Sequence, residues 1–166
     1  MKIAIFLIAV FFSLFSYAAE QKPAPDAVVV MALANPLPHE EDKRDNFLWD
    51  SFANKPAEKQ FNAYGADHWK DTFTVFANSL VHKADVLKLD SASLHQALDL
   101  VLKDSNDKIA YLPVGAYQTT LDGELIWIIT VKWEYPSMVG SGGLGHIRMF
   151  AFNQKTLKKV GFVTCG

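Results

Sequence analysis

The run Leu125–Tyr135 constrains this chain more than any other segment, because its two faces read so differently. Strand side chains point alternately to opposite sides of a sheet. One side then presents Leu125, Trp127, Ile129, Val131 and Trp133, and the other Ile126, Ile128, Thr130, Lys132 and Glu134. The first is apolar from end to end, and the second turns polar halfway. A central strand, covered by a helix on one face and partly open on the other, reads this way. On the uniformly apolar side, Trp127 and Trp133 read as core rather than as an exposed aromatic platform.

Strand signals continue on both sides of that run. Val114–Thr120 leads into Leu121-Asp122-Gly123-Glu124, and Asp-Gly accepts the positive φ values of a type I′ hairpin turn. A glycine-rich stretch, Pro136–Gly145, connects to a further strand over His146–Phe152. Asn153–Thr156 then turns the chain into a last strand over Val160–Cys165. The covering helix lies upstream. Ser93-Leu94-His95-Gln96 fits a capping box, and Leu94, Ala97, Leu98, Val101 and Leu102 follow as one apolar stripe ending near Lys103. A helix followed by four antiparallel strands predicts an α+β fold, an amphipathic helix packed on a twisted antiparallel sheet.

The earlier half is read element by element. Asp26–Leu33 is a β-branched run that predicts a strand, and Thr72–Phe76 alternates like another. Phe47, Leu48 and Phe52 suit a short amphipathic helix, with the charged run His39–Asp45 as a solvated face. The aromatics scattered between Asn35 and Lys70 argue against disorder.

Residues 1–18 have the order of a secretory signal peptide. Lys2 is positive, Ile3–Phe15 is apolar except for Ser13, and Ser16-Tyr17-Ala18 supplies small residues for cleavage. The apolar run is short for a membrane span, which needs about 20 residues. Residues 19–26 then read as a flexible leader and 27–166 as a single α+β domain, exported to the periplasm or the exterior. No second stretch reaches spanning length. With 16 basic against 18 acidic residues the chain has no electrostatic footprint for nucleic acid. Cys165 is the only cysteine, so the domain has no intrachain disulfide and is held by its core. Its place in the last strand predicts a buried thiol.

Residues of about 93–165 resemble PepSY-type or cystatin-like modules, in which an amphipathic helix precedes a meander. The resemblance rests on Leu94–Lys103 and on the hairpin Phe150-Ala-Phe-Asn-Gln-Lys-Thr-Leu-Lys-Lys-Val160. PepSY-like hairpins usually carry an Asp…Thr-Gly turn before a final strand. Asn153 and Thr156 fit that pattern, and Leu157 stands where the glycine is expected. The resemblance implies an exported protein that binds or inhibits something, with no family catalytic residues to carry over.

Several motifs fail on context. Gly140-Ser-Gly142-Gly-Leu-Gly145 spells a dinucleotide fingerprint, but a strand follows it rather than a helix, and no Asp or Glu occurs after Glu134. His39-Glu-Glu-Asp lacks the second histidine of a zinc helix, and His68, His82, His95 and His146 are scattered, so no metal site is predicted. Ser141 is not in a nucleophile elbow, because Val139 precedes Gly140.

What survives is the mouth of the glycine loop. If the strands on either side pair, Lys132, Glu134, His146 and Arg148 gather there, and the basic three are candidates to hold an anionic group. The expected function is non-catalytic binding of a small ligand or a protein partner, with no cofactor implied. One alternative is a small secreted enzyme with a site in 36–71, drawing on His39, Glu40, Glu41, His68 and Asp71. Another is envelope assembly through an edge strand. A smooth apolar concavity lined by Ile126 and Ile128 would favour a small ligand.

Overall fold

The two longest helices here are made by apolar residues recurring on one stripe. The computed structural model describes residues 28–52, 68–105, 108–135 and 145–164. The expected signal peptide and leader, the glycine loop up to Leu144 and Cys165 lie outside the described residues. Strand β1 (Val29–Ala32) is followed by helices α1 (Glu41–Phe52), α2 (Trp69–Val86) and α3 (Ser91–Asp104). Strands β2 (Ala110–Leu121), β3 (Glu124–Glu134), β4 (His146–Asn153) and β5 (Lys159–Thr164) complete an α+β architecture.

In α1 the charged run forms the first turns, with Glu41 and Asp42 beside the positive end of the helix dipole. Leu48 is fully buried. Residues Thr72–Phe76 are helical, not the strand their alternation predicts. Phe73 and Phe76 join Trp69, Ala77, Leu80 and Ala84 in one buried stripe along α2, so the longer period wins. Lys83 Nζ donates to the Val28 carbonyl at 2.7 Å and ties α2 to the start of β1.

Helix α3 starts earlier than the capping-box reading places it. Asp90 is the N-cap, its Oδ1 accepting from Ser93 N–H at 3.0 Å. Ser93 therefore lies inside the first turn. Its hydroxyl donates to the Asp90 carbonyl at 3.1 Å and accepts from Trp127 Nε1–H at 2.9 Å. Of the expected apolar stripe, Leu94, Ala97, Leu98 and Val101 are buried and Leu102 is half-buried against the same core.

The sheet has the order β1-β2-β3-β4-β5. Strand β1 is a parallel edge, with Val29 opposite Gly115, while β2 to β5 form an antiparallel meander. Asp122 (φ 53°) and Gly123 (φ 82°) close the β2–β3 hairpin in the left-handed conformation expected of that turn. Strand β2 begins at Ala110, before the sequence reading starts it, and admits Pro113 because the ladder slips between Pro113 and Gly115. Gly115 has no room for a side chain, since a Cβ there would sit 2.6 Å from Thr130 Oγ1 and 2.9 Å from the Tyr117 ring.

Cores form on both faces of the sheet. Phe73 and Phe76 of α2 and Leu98 of α3 pack on Trp127, Ile129, Val131 and Phe150 of the sheet. On the other face Leu48 of α1 packs in one core with Leu37, Tyr117, Ile126, Ile128, Ile147 and Met149. Burying each such side chain contributes about 1.5–3 kcal/mol before the entropy of ordering is set against it. The second face of β3 is thus more enclosed than its sequence suggests. Thr130, Lys132 and Glu134 join Ile126 and Ile128 among the buried residues. No helix among the described residues is long and apolar enough to cross a membrane.

Candidate functional site

The helices cover the two faces of the sheet at opposite ends. Helices α2 and α3 make their main sheet contacts with β1, β2 and β3, whereas α1 packs on β5 from the other side. On the α2/α3 face, among the described residues, this leaves β5 and the His146–Arg148 end of β4 as a shelf beside the buried Phe150 and Phe152, and Arg148 is its centre.

Alternation along β4 and the register of its neighbours place Arg148 there. It stands opposite Val131 of β3 and Thr164 of β5. The guanidinium carbon lies 4.3 Å from the centre of the Trp133 ring, 5.5 Å from that of Tyr111 and 5.9 Å from that of Phe162. A guanidinium stacks well on such rings because their π faces are negative. Arg148 Nε–H donates to Thr164 Oγ1 at 3.1 Å, and Nη1–H donates to the Tyr111 hydroxyl. These contacts engage two of its five N–H groups.

A polar chain extends the shelf. The Tyr111 hydroxyl donates to Asp104 Oδ2 at 3.1 Å, and Lys159 Nζ approaches Asp104 Oδ1 to 3.5 Å. Burial pushes the Tyr111 phenol up to about 12, against the opposing pull of Arg148. Tyr111 therefore stays neutral at ordinary pH and can accept from Arg148 while donating to Asp104. Lys159 Nζ also lies 5.1 Å from the Phe162 ring centre, and Phe162 is itself exposed.

Of the residues singled out in the sequence, the structure brings two together and separates the third. His146 pairs with Trp133, and its ring centre lies 4.8 Å from that of Trp133. Its Nε2 is 3.5 Å from Glu134 Oε2. Lys132 pairs instead with Ile147, on the α1 face, where it is 3 % exposed. Even numbers on β3 and on β4 therefore mark opposite faces, and the expected three-base cluster does not form. Sequence reasoning also missed Tyr111, Asp104, Lys159, Phe162 and Thr164. For Phe162 and Thr164 the Asn153 turn signals only that β5 folds back along β4. Asn153 Oδ1 accepts from the amides of Lys155 and Thr156. The pairing of Phe150 with Phe162 and of Arg148 with Thr164 then depends on a register shift between Ala151 and Phe152, which the turn does not announce.

Residues 53–67 of the 36–71 segment lie outside the described residues, and the enzyme candidates on either side of them are engaged in separate pairs. His39 Nδ1 lies 2.9 Å from both Asp122 carboxylate oxygens at the hairpin tip. His68 faces Asp71 at 3.8 Å at the start of α2, and Glu40 pairs with Lys43 at 3.1 Å. Among the described residues no group of three or more His, Cys, Asp or Glu is placed to hold a metal ion. A cleft of about 410 Å³ on the α1 face has Ile126 on its wall, but Asp122, Glu124 and Lys158 share it, and it is not the smooth apolar concavity considered above. Ile128 is not on its lining; it is buried in the second core. Comparison with protein-family models, with curated proteins and with solved structures finds no match to this chain.

Proposed function

We propose that this protein is an exported, non-catalytic binding module that presents the Arg148 shelf to an anionic group of a small ligand or protein partner. The observation that carries this reading is the fixed guanidinium. It is stacked on Trp133 and bonded to Tyr111 and Thr164, beside the part of the sheet that α2 and α3 chiefly contact. Holding a guanidinium in place before binding lowers the ordering cost of the complex. Arginine also suits carboxylate and phosphate, because its planar fork can donate two parallel hydrogen bonds. His146 and Lys159 flank it, beside Glu134 and Asp104 respectively. Export is supported by the order of positive, apolar and small residues in 1–18, and a binding role by the PepSY-type resemblance of 93–165.

Two measurements test the reading. Intact mass of the protein made in a secreting host should correspond to a chain beginning at Ala19, and retention of Met1–Ala18 would refute export. Phenyl phosphate, titrated against isotopically labelled protein, should shift the Trp133 indole and the Phe162 and Thr164 amides, whereas phenol should not. Arg148→Lys keeps the charge but loses the stacked fork, and should weaken binding about tenfold. Shelf signals that ignore phenyl phosphate, or an unchanged affinity in Arg148→Lys, would refute the site.

A further inference from the structure

Charge is segregated along this chain in a way its near-neutral total conceals. After Glu134 the basic residues are Arg148, Lys155, Lys158 and Lys159, and there is no acidic residue at all. All 18 Asp and Glu lie earlier. The fold gathers that basic stretch into the β4–β5 hairpin, which forms one border of the sheet. Among the described residues nothing pairs with the outer edge of β5. We infer that β5 accepts an extended acidic segment of another protein as a sixth strand, a deepening of the binding role proposed above that rests on it.

A sheet edge offers a row of unpaired backbone donors and acceptors, and natural edges are often guarded by lysines that repel a second strand. Lys159 does not act as such a guard here. Its amine is turned onto the shelf, toward Asp104 and the Phe162 ring. Phe162, on the edge strand itself, is left 37 % exposed, which a guarded edge would not display. The opposite edge is a poorer candidate, because β1 has four residues against six in β5 and carries no charge.

Both faces of the border favour acidic side chains. On the shelf, an incoming carboxylate beside Phe162 meets Lys159 and, one strand further in, Arg148. On the α1 face, Arg44 reaches β5, with its Nε 3.6 Å from the place where a Gly161 side chain would begin. That Nε is buried and has no hydrogen-bond partner. Main-chain pairing would supply the affinity of such a complex and these cations its preference for acidic sequence. An apolar residue of the segment would lie against Phe162.

The test uses the peptide acetyl-Glu-Asp-Val-Glu-Val-Asp-Glu-amide and the same peptide with alternate amides N-methylated. The unmodified peptide should bind more weakly as salt rises and should slow amide exchange along β5. Methylation keeps every charge and removes edge pairing, so affinity should fall at least about tenfold. The Lys158→Glu/Lys159→Glu variant should lose a similar factor while keeping its circular dichroism spectrum. Equal affinity of the two peptides, or of the two proteins, would overturn the inference. So would polyphosphate binding with the same β5 response, which would mark a general polyanion surface, or a dimer of this chain that occludes β5. The phenyl phosphate titration separates the two failures. A shelf that still takes phenyl phosphate while β5 ignores the peptide leaves the binding module and removes only the sixth strand.

Discussion

Removing one oxygen, in Ser93→Ala, distinguishes two accounts of how α3 is attached. In the structure the Ser93 hydroxyl is the acceptor for Trp127 Nε1–H, at 2.9 Å, inside the core. Trp127 is 0 % exposed and Ser93 4 %, so water cannot replace the lost partner without opening the core. An orphaned buried donor costs about 1–3 kcal/mol, more than the net worth of an ordinary hydrogen bond. The helix start should survive, because Asp90 remains to cap it. With a urea m-value of about 1–3 kcal/mol/M for a small domain, a loss near 2 kcal/mol moves the denaturation midpoint by about 1 M. The assay is a double-mutant cycle read by urea denaturation. Ser93→Ala should cost about 1–3 kcal/mol in the natural chain and under about 0.5 kcal/mol in a Trp127→Phe background, where no indole N–H is left to orphan. If Ser93 were the helix cap, its loss would cost about the same in both backgrounds. Equal costs would therefore refute the argument.

Leu98→Ala, in the middle of the buried α3 stripe, should cost about 2–5 kcal/mol, and exposed His95→Ala under about 1 kcal/mol; similar urea midpoints would mean that the helix face is misassigned. Gly115→Ala should cost about 1–3 kcal/mol by overpacking against Thr130 and Tyr117, and recovery of the stability in a Gly115→Ala/Thr130→Ala double variant would identify the clash; a neutral Gly115→Ala would refute it. Tyr111, held up to about 12 by burial, keeps its proton where an unfolded phenol near pH 10 releases it. Its contribution to stability is complete below about pH 10 and is lost between about pH 10 and 12, and Tyr117, raised for the same reason, adds in the same direction. Midpoints measured across that window should fall less steeply in Tyr111→Phe, and equal slopes would contradict the assignment.

Legibility followed how far each signal reached along the chain. The stripe of α3, the Asp122-Gly123 turn and the apolar face of β3 were all readable, because each is set by residues a few positions apart. Thr72–Phe76 misled because five residues satisfy both periods, and only Trp69, Leu80 and Ala84 decide for a helix. Asp90 and Ser93 both qualify as caps on chemistry, and the burial of Trp127 beneath Ser93 decides between them. The shelf was half visible. Arg148 and His146 were singled out, but Lys132 could be excluded only by the β3–β4 register, which depends on a connection whose length does not fix it. Tyr111 and Asp104 reach the shelf from β2 and the end of α3, so no local pattern announces them.

The parallel edge makes the order of synthesis a problem for this chain. Val29 is made 86 positions before its partner Gly115, and α1, α2 and α3 are laid down in between. Strand β1 must therefore wait, its valines unpaired, until β2 exists and α2 has docked to bring Lys83 to the Val28 carbonyl. Closing so long a loop for four residues of parallel pairing returns little free energy per residue fixed. The seam between β1 and β2 is therefore expected to close late on folding and to part early in thermal fluctuation. Each parting would expose a second open border, that of β2, which bears no lysine or arginine to repel an unwanted strand.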